Sequence, residues 1–172
     1  MEKDAVKYLF FKDVIADMVK AIEGGALTGA FTLSFCCIDY LGFGMYPWRK
    51  KNEKKDFIIF VKEYMGDFDQ RYSKYAEYIY SARCSFIHSF SQSKSEENLG
   101  VNLIYMFADN GPNEPYHLKE SVVKNKKTIF IVLVDLLTDI IASASYFFNG
   151  IDNLSKSKNG MTKFIMFFLP NY

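Results

Sequence analysis

The sequence predicts an all-α fold, a mainly helical bundle of four to six helices with a small β-hairpin near residues 99–118. Long stretches repeat apolar residues at helical spacing, and one short stretch alternates apolar and polar residues as a strand does. The chain has 172 residues, of which 49% are hydrophobic, so it is long enough for one core and too short for two good ones. We therefore expect residues 1–172 to form a single helical domain.

Two helices are predicted before residue 45, with a glycine turn between them. From Lys3 to Ile22 the apolar residues recur at every fourth position, which is typical of an amphipathic helix. Gly24 and Gly25 then supply a left-handed cap and a turn. Residues 26–41 are apolar on nearly all sides, which predicts a central helix.

Two further helices follow a basic loop at residues 49–55. A short helix is predicted over residues 56–65 and ends at Gly66. The next one, from Phe68 to about Phe90, carries an apolar stripe about 80° wide that must pack against other helices. The stripe consists of Tyr72, Tyr75, Ile79, Ala82, Phe86 and Phe90.

The second half of the chain predicts a hairpin and one long helix. Residues 99–107 alternate as a strand, a turn is expected at 109–112, and Tyr116 to Leu118 form the returning strand. Residues 120–148 are expected to form a helix, which ends at Asn149-Gly150. A last apolar turn or strand is predicted over residues 162–169.

Charge and cysteine content exclude several classes of protein. With 21 basic and 20 acidic residues the net charge is +1, so no global field attracts nucleic acid or an anionic membrane. Asp39, Asp135 and Asp139 interrupt the two most apolar stretches, which argues against membrane spans. Three cysteines form no disulfide framework, and we expect a cytoplasmic protein.

Metal and nucleotide-triphosphate sites are not expected. The two histidines, His88 and His117, have no zinc-ligand spacing, and no phosphate-binding glycine loop is present, so we expect no cofactor. Asp135 and Asp139 stand four positions apart and are able to share a proton or a magnesium ion. The alternative is a polar stripe or a partner for a buried arginine.

Arg83 and His88, five positions apart on one predicted helix, are the residues most suited to catalysis. A histidine exchanges protons near neutral pH, and an arginine fork holds phosphate oxygens as negative charge builds up. Together they suffice for RNA cleavage without a metal. Ser85, Ser89 and Tyr80 are expected to contact the phosphate or the nucleic acid.

In this spacing, and in the succession of helices around it, the chain resembles the HEPN superfamily. Those proteins are helical bundles in which an arginine and a histidine stand four to six residues apart. The resemblance implies a homodimer with a cleft between the two motif helices and, in many members, metal-independent ribonuclease activity. Other members bind nucleotides or serve as scaffolds. The resemblance also raises a toxin role with an antitoxin-like protein partner.

Two interpretations of the motif stay open. A step of five residues separates Arg83 and His88 by about 140° around an ideal helix, so a site would need a second subunit. The first interpretation is therefore a ribonuclease that acts at a homodimer cleft. The second is an inactive module that binds a nucleotide, RNA or protein, with Arg83 paired to Asp39 or Asp135. Cys84, at a position where the family often has asparagine, aspartate or histidine, favours the second.

Overall fold

The computed structural model describes residues 7–44, 54–88, 99–108 and 116–149. Within these ranges the chain forms five helical segments and three short strands. The helix α1 begins with a π-helical stretch and continues in α geometry, and α3 ends in another π-helical stretch. In chain order the elements are α1 (Phe10–Ile15, then Ala16–Glu23), α2 (Leu27–Gly44), α3 (Lys54–Phe60, then Val61–Met65), α4 (Arg71–His88), β1 (Val101–Met106), β2 (Glu120–Val123), β3 (Lys126–Val132) and α5 (Leu133–Asn149).

The helix α2 lies at the centre of the bundle, as its uniformly apolar sequence predicts. It packs against each of the other four helices. Phe35, Ile38 and Leu41 of α2 are completely buried. The chain reaches α2 from α1 through a tight turn in which Gly25 has φ +73°, the left-handed conformation that favours glycine.

A glycine allows α2 and α3 to approach closely. A Cβ atom placed on Gly42 would lie 2.8 Å from the backbone oxygen of Asp56, closer than real carbon–oxygen contacts permit. The first turn of α3 therefore packs directly on the α2 backbone. This contact brings Lys54 of α3 and Asp39 of α2 to the same side of α4.

The strands form one mixed sheet in the order β1-β3-β2. β1 runs parallel to β3, with Val101 opposite Lys127, and β2 is antiparallel to β3, with Glu120 opposite Ile129. A two-residue turn joins β2 to β3, and both of its residues, Lys124 and Asn125, have positive φ angles. Such turns match the natural twist of a hairpin.

Two predictions for this part of the chain are wrong. The hairpin lies at residues 120–132 and not at 99–118, because β1 pairs in parallel with β3 and Tyr116 to Leu118 form a turn. Residues 120–132 form strands, so the last helix begins only at Leu133. The physical reason is the density of β-branched residues in this segment, which favour strands. These residues are Val122, Val123, Thr128, Ile129, Ile131 and Val132.

The sheet lies across α4. Near the start of α4 the Tyr75 hydroxyl donates a hydrogen bond to Glu120 of β2, and near its end Phe86 packs edge-on against Tyr105 of β1. Since β3 lies between these strands, the sheet extends from the first turns of α4 towards its last turns. The β1 strand is therefore the one nearest to the end of α4 that carries His88.

The fold class predicted from sequence, mainly helical with a small β element, is confirmed. None of the helices in the described ranges is long and apolar enough to span a membrane. Several predictions lie outside the described residues: the basic segment at 49–53, Ser89 and Phe90, the turn at 109–112, and the element at 162–169.

Candidate functional site

Arg83 of α4 forms an ion pair with Asp39 of α2. The Nε atom of Arg83 donates a hydrogen bond to Oδ2 of Asp39 at 2.6 Å. The two side chains are 21% and 17% exposed, so the pair lies at the edge of the interface between α2 and α4. Of the two acidic partners considered for Arg83, the structure selects Asp39.

The ion pair keeps the arginine charged and fixes its orientation. Burial acts to lower the pKa of Arg83, but the hydrogen bond to Asp39 and the negative charge of that carboxylate prevail, and the pKa is raised. Among the described residues, the terminal Nη1 and Nη2 groups of Arg83 donate no hydrogen bond to an oxygen atom. Asp39 thus holds the Nε edge of the guanidinium group, and Cys84 is a further hydrogen-bond partner of this side chain. The terminal amino groups are the part of Arg83 that could contact an anion.

Tyr80 and Cys84 lie beside this ion pair. The Cζ atom of Arg83 is 5.8 Å from the ring centroid of Tyr80, and the Nζ atom of Lys54 is 5.3 Å from the same centroid. Lys54 is itself 2.8 Å from Glu77. Burial, and then the neighbouring thiol of Cys84, raise the pKa of Tyr80. The surroundings of Arg83 therefore combine an aromatic ring with a second cation.

His88 is separated from these residues. It is the last residue of α4 and is exposed, whereas the side chain of Arg83 packs against α2. Five residues correspond to a rise of about 7.5 Å and a rotation of about 140° on an ideal helix. One copy of the chain does not bring the guanidinium and the imidazole onto one face of α4.

The other three residues predicted to contact the phosphate or the nucleic acid, Ser85, Tyr80 and Ser89, do not share one environment. Ser85 is 1% exposed, and its hydroxyl donates to the backbone oxygen of Ser81 at 3.0 Å. A helical serine commonly bonds to the carbonyl four residues earlier in this way. Its side chain is buried within this chain, so it does not present its hydroxyl on the surface beside Arg83. Tyr80 remains next to Arg83, and Ser89 lies outside the described residues.

A buried polar network that the sequence analysis did not identify lies at the other end of α4. The Tyr72 hydroxyl donates to Oδ2 of Asp139 at 2.9 Å and lies 2.7 Å from Nε2 of His117. The backbone N–H of Val132 donates to Nδ1 of His117 at 3.0 Å. Since Nδ1 accepts this bond, the neutral ring carries its proton on Nε2 and donates it to the Tyr72 oxygen.

This network fixes α4 to α5 and to the turn before β2. His117, Tyr72 and Asp139 are 2%, 0% and 7% exposed, which leaves no room for a substrate. Burial, and then the charge of Asp139, raise the pKa of Tyr72 well above its usual range. Leu118, buried beside His117, has φ +56°, an unusual value for leucine. We assign the network a structural role.

Asp139 therefore contributes to the core through its bond with Tyr72, a partner that neither interpretation of Asp135 and Asp139 names. Among the described residues, no group of three or more histidine, cysteine, aspartate or glutamate side chains is placed to bind a metal ion. No sequence spacing links residues 72, 117 and 139, so the network becomes visible only in three dimensions.

Comparison of the chain with protein-family models, with curated proteins and with solved structures found no match. The function must therefore be inferred from the geometry around Arg83 and from the resemblance in the motif.

Proposed function

We propose that this protein is a cytoplasmic, metal-independent ribonuclease that acts as a homodimer. The observation that carries the proposal is that Asp39 bonds Arg83 at 2.6 Å through Nε and not through a terminal amino group, so the guanidinium is oriented with its outer edge directed away from the carboxylate. A guanidinium group held in this manner presents its two terminal amino groups to a phosphate without losing side-chain freedom on binding. Tyr80 lies beside it and supplies a ring on which a base can stack.

The proposed reaction is an internal transfer of the phosphodiester. His88 removes the proton of a ribose 2′-hydroxyl, and the 2′-oxygen forms a bond to phosphorus. Arg83 stabilises the extra negative charge on the phosphate oxygens. The bond from phosphorus to the 5′-oxygen breaks, and the protonated His88 returns its proton to that oxygen. The products are a 2′,3′-cyclic phosphate and a free 5′-hydroxyl group.

The homodimer follows from the separation of the two groups. In a twofold symmetric dimer the same surface is used twice, so Arg83 of one copy can face His88 of the other. Each dimer then has two composite sites. The proposal does not depend on an antitoxin-like protein partner.

A second candidate is an inactive module that binds RNA or a nucleotide through the same surface. The ion pair itself favours it, because the carboxylate of Asp39 neutralises most of the charge that Arg83 would offer to a phosphate. Cys84, which follows Arg83 directly, favours it as well.

Incubation of the purified protein with single-stranded RNA in EDTA tests the proposal. We expect cleavage to continue in the chelator and to fall by at least about 100-fold in His88→Ala and in Arg83→Ala, the usual loss when a catalytic acid, base or charge stabiliser is removed. Lys20→Ala, an exposed change on α1, serves as the control and should cleave like the wild type. Binding of RNA without any cleavage would support the second candidate.

A further inference from the structure

Positive charge is concentrated around the β2–β3 hairpin. Four lysines lie between residues 119 and 127, and Lys74 of α4 packs beside them, whereas Glu120 is the only acidic residue in the segment 119–127. The group thus carries a net charge of +4. Because the whole chain has a net charge of +1, the remaining residues sum to −3. We call the five lysines at positions 74, 119, 124, 126 and 127 the lysine hairpin.

Glu120 joins the lysine hairpin to α4 through hydrogen bonds and ion pairs. Its Oε2 atom accepts hydrogen bonds from the Tyr75 hydroxyl at 2.8 Å and from Lys74 at 3.2 Å, and it lies 3.0 Å from Nζ of Lys127. The hydrogen bonds from Lys127, Tyr75 and Lys74 lower the pKa of Glu120 to about 2. Two lysines share one carboxylate, so the cluster keeps an excess of positive charge.

Aromatic rings accompany the lysines on both sides of the hairpin. The Nζ atom of Lys127 lies 5.7 Å from the ring centroid of Tyr78, and that of Lys119 lies 5.3 Å from the centroid of Tyr116. Tyr116 is 37% exposed. Exposed rings beside cations are the combination with which proteins hold unpaired bases and their phosphates.

Part of the α4 surface that the hairpin contacts faces the same way as His88. At 100° per residue, Lys74, Tyr78 and His88 lie within an arc of about 80°. Tyr75, which bonds Glu120 of the hairpin, lies about 140° from His88, so a strand bound to the lysine hairpin would have to continue about 20 Å along α4 to reach the imidazole. Arg83 lies on the other side, where the proposed function requires the second copy.

We propose that the lysine hairpin binds the sugar–phosphate backbone of single-stranded RNA and that Tyr116 stacks on one of its bases. This inference rests on the proposed function for the identity of the ligand, and it adds a binding surface outside the Arg83 site. The alternative is that lysines at the turn and at the ends of these strands only discourage the sheet from pairing with other strands. A purely protective role would leave RNA binding unchanged when the charges are reversed.

The test uses the full chain and a 2′-O-methyl RNA oligonucleotide, which binds but cannot be cleaved by attack of a 2′-hydroxyl. Lys124→Glu/Lys126→Glu reverses two exposed charges on the hairpin. The control, Lys12→Glu/Lys62→Glu, makes the same change of charge at exposed positions on α1 and α3. Affinity is measured by fluorescence anisotropy over a range of salt concentrations, and circular dichroism verifies that both variants fold.

We expect the hairpin variant to bind the RNA at least about tenfold more weakly. The slope of log binding constant against log salt concentration should become shallower by about 1.4, because two contacts to phosphates of a single strand are lost. The control should change by less than about twofold. Equal losses in the two variants, or no loss in either, would overturn the inference. If the wild type binds RNA through the hairpin but does not cleave it, only the proposed ribonuclease activity is overturned. If the wild type cleaves RNA and the hairpin variant binds and cleaves it equally well, only the inference about the hairpin is overturned.

Discussion

At the scale of single residues, the environment of each side chain decides its role more than its chemical type does. Arg83 and Arg71 are both paired with aspartates, yet Arg71 uses its guanidinium to join Asp69 and the backbone oxygen of His117, whereas among the described residues Arg83 donates to an oxygen atom only through Nε, at Asp39. Arg71 is therefore fully engaged in the fold. Of these two arginines, Arg83 is the one with donors that could contact a ligand.

The buried network predicts the effect of removing one hydroxyl. Tyr72→Phe deletes the group that bridges His117 and Asp139 in the core. We expect the free energy of unfolding to fall by about 1–3 kcal/mol, the cost of depriving buried polar groups of a partner. Tyr75→Phe, which removes a hydroxyl bonded to the more exposed Glu120, should cost less than about 1 kcal/mol. Urea denaturation measures both, and equal losses would contradict the structural role assigned to the network.

Glu120 predicts a pH dependence of stability. Its pKa is lowered from an ordinary value of 4.5 to about 2 in the folded protein. Because the pKa is lower in the folded protein, the ionised carboxylate stabilises the fold at pH values above its pKa in the unfolded chain. This contribution is lost as the pH falls from about 4.5 to about 2. In Glu120→Gln, the free energy of unfolding should therefore fall less between pH 4.5 and pH 2 than it does in the wild type. Urea midpoints of the two proteins that run parallel from pH 5 to pH 2 would contradict the prediction.

At the scale of helices and strands, the periodic pattern located most helices correctly. α2 and α4 lie within a few residues of their predicted bounds because their apolar positions repeat over several turns. The segment 120–132 was predicted incorrectly because β3 continues into α5 without a polar interruption, so the apolar run resembles one helix. The parallel pairing of β1 with β3 joins residues 26 positions apart, and no local pattern reports such a contact.

The close approach of α2 and α3 predicts a difference between two glycines of one helix. Gly42→Ala places a methyl group 2.8 Å from the Asp56 carbonyl oxygen and should destabilise the protein by about 1–3 kcal/mol. Gly29→Ala meets its nearest neighbour at an ordinary 3.9 Å and should be neutral or stabilising by up to about 1 kcal/mol. Thermal unfolding of both variants measures the difference, and a stable Gly42→Ala protein would contradict the packing described here.

At the scale of the whole molecule, the candidate site is incomplete in one copy of the chain. The sequence identified Arg83, His88 and Tyr80, and the helical step between Arg83 and His88 already indicated that they diverge. It did not establish that Asp39, 44 positions away, orients Arg83, because that contact depends on how α2 and α4 pack. Catalysis as proposed requires two copies that exchange these groups.

Mixing two inactive variants tests this requirement most directly. Arg83→Ala and His88→Ala each lack one group in both composite sites, but a mixed dimer has one site with both groups intact and one with neither. With random exchange of subunits, about half of the dimers are mixed and half of their sites are complete, so RNA cleavage in EDTA should return to about a quarter of the wild-type rate. No recovery in a mixture shown to form mixed dimers, while the wild type cleaves, would contradict the shared site.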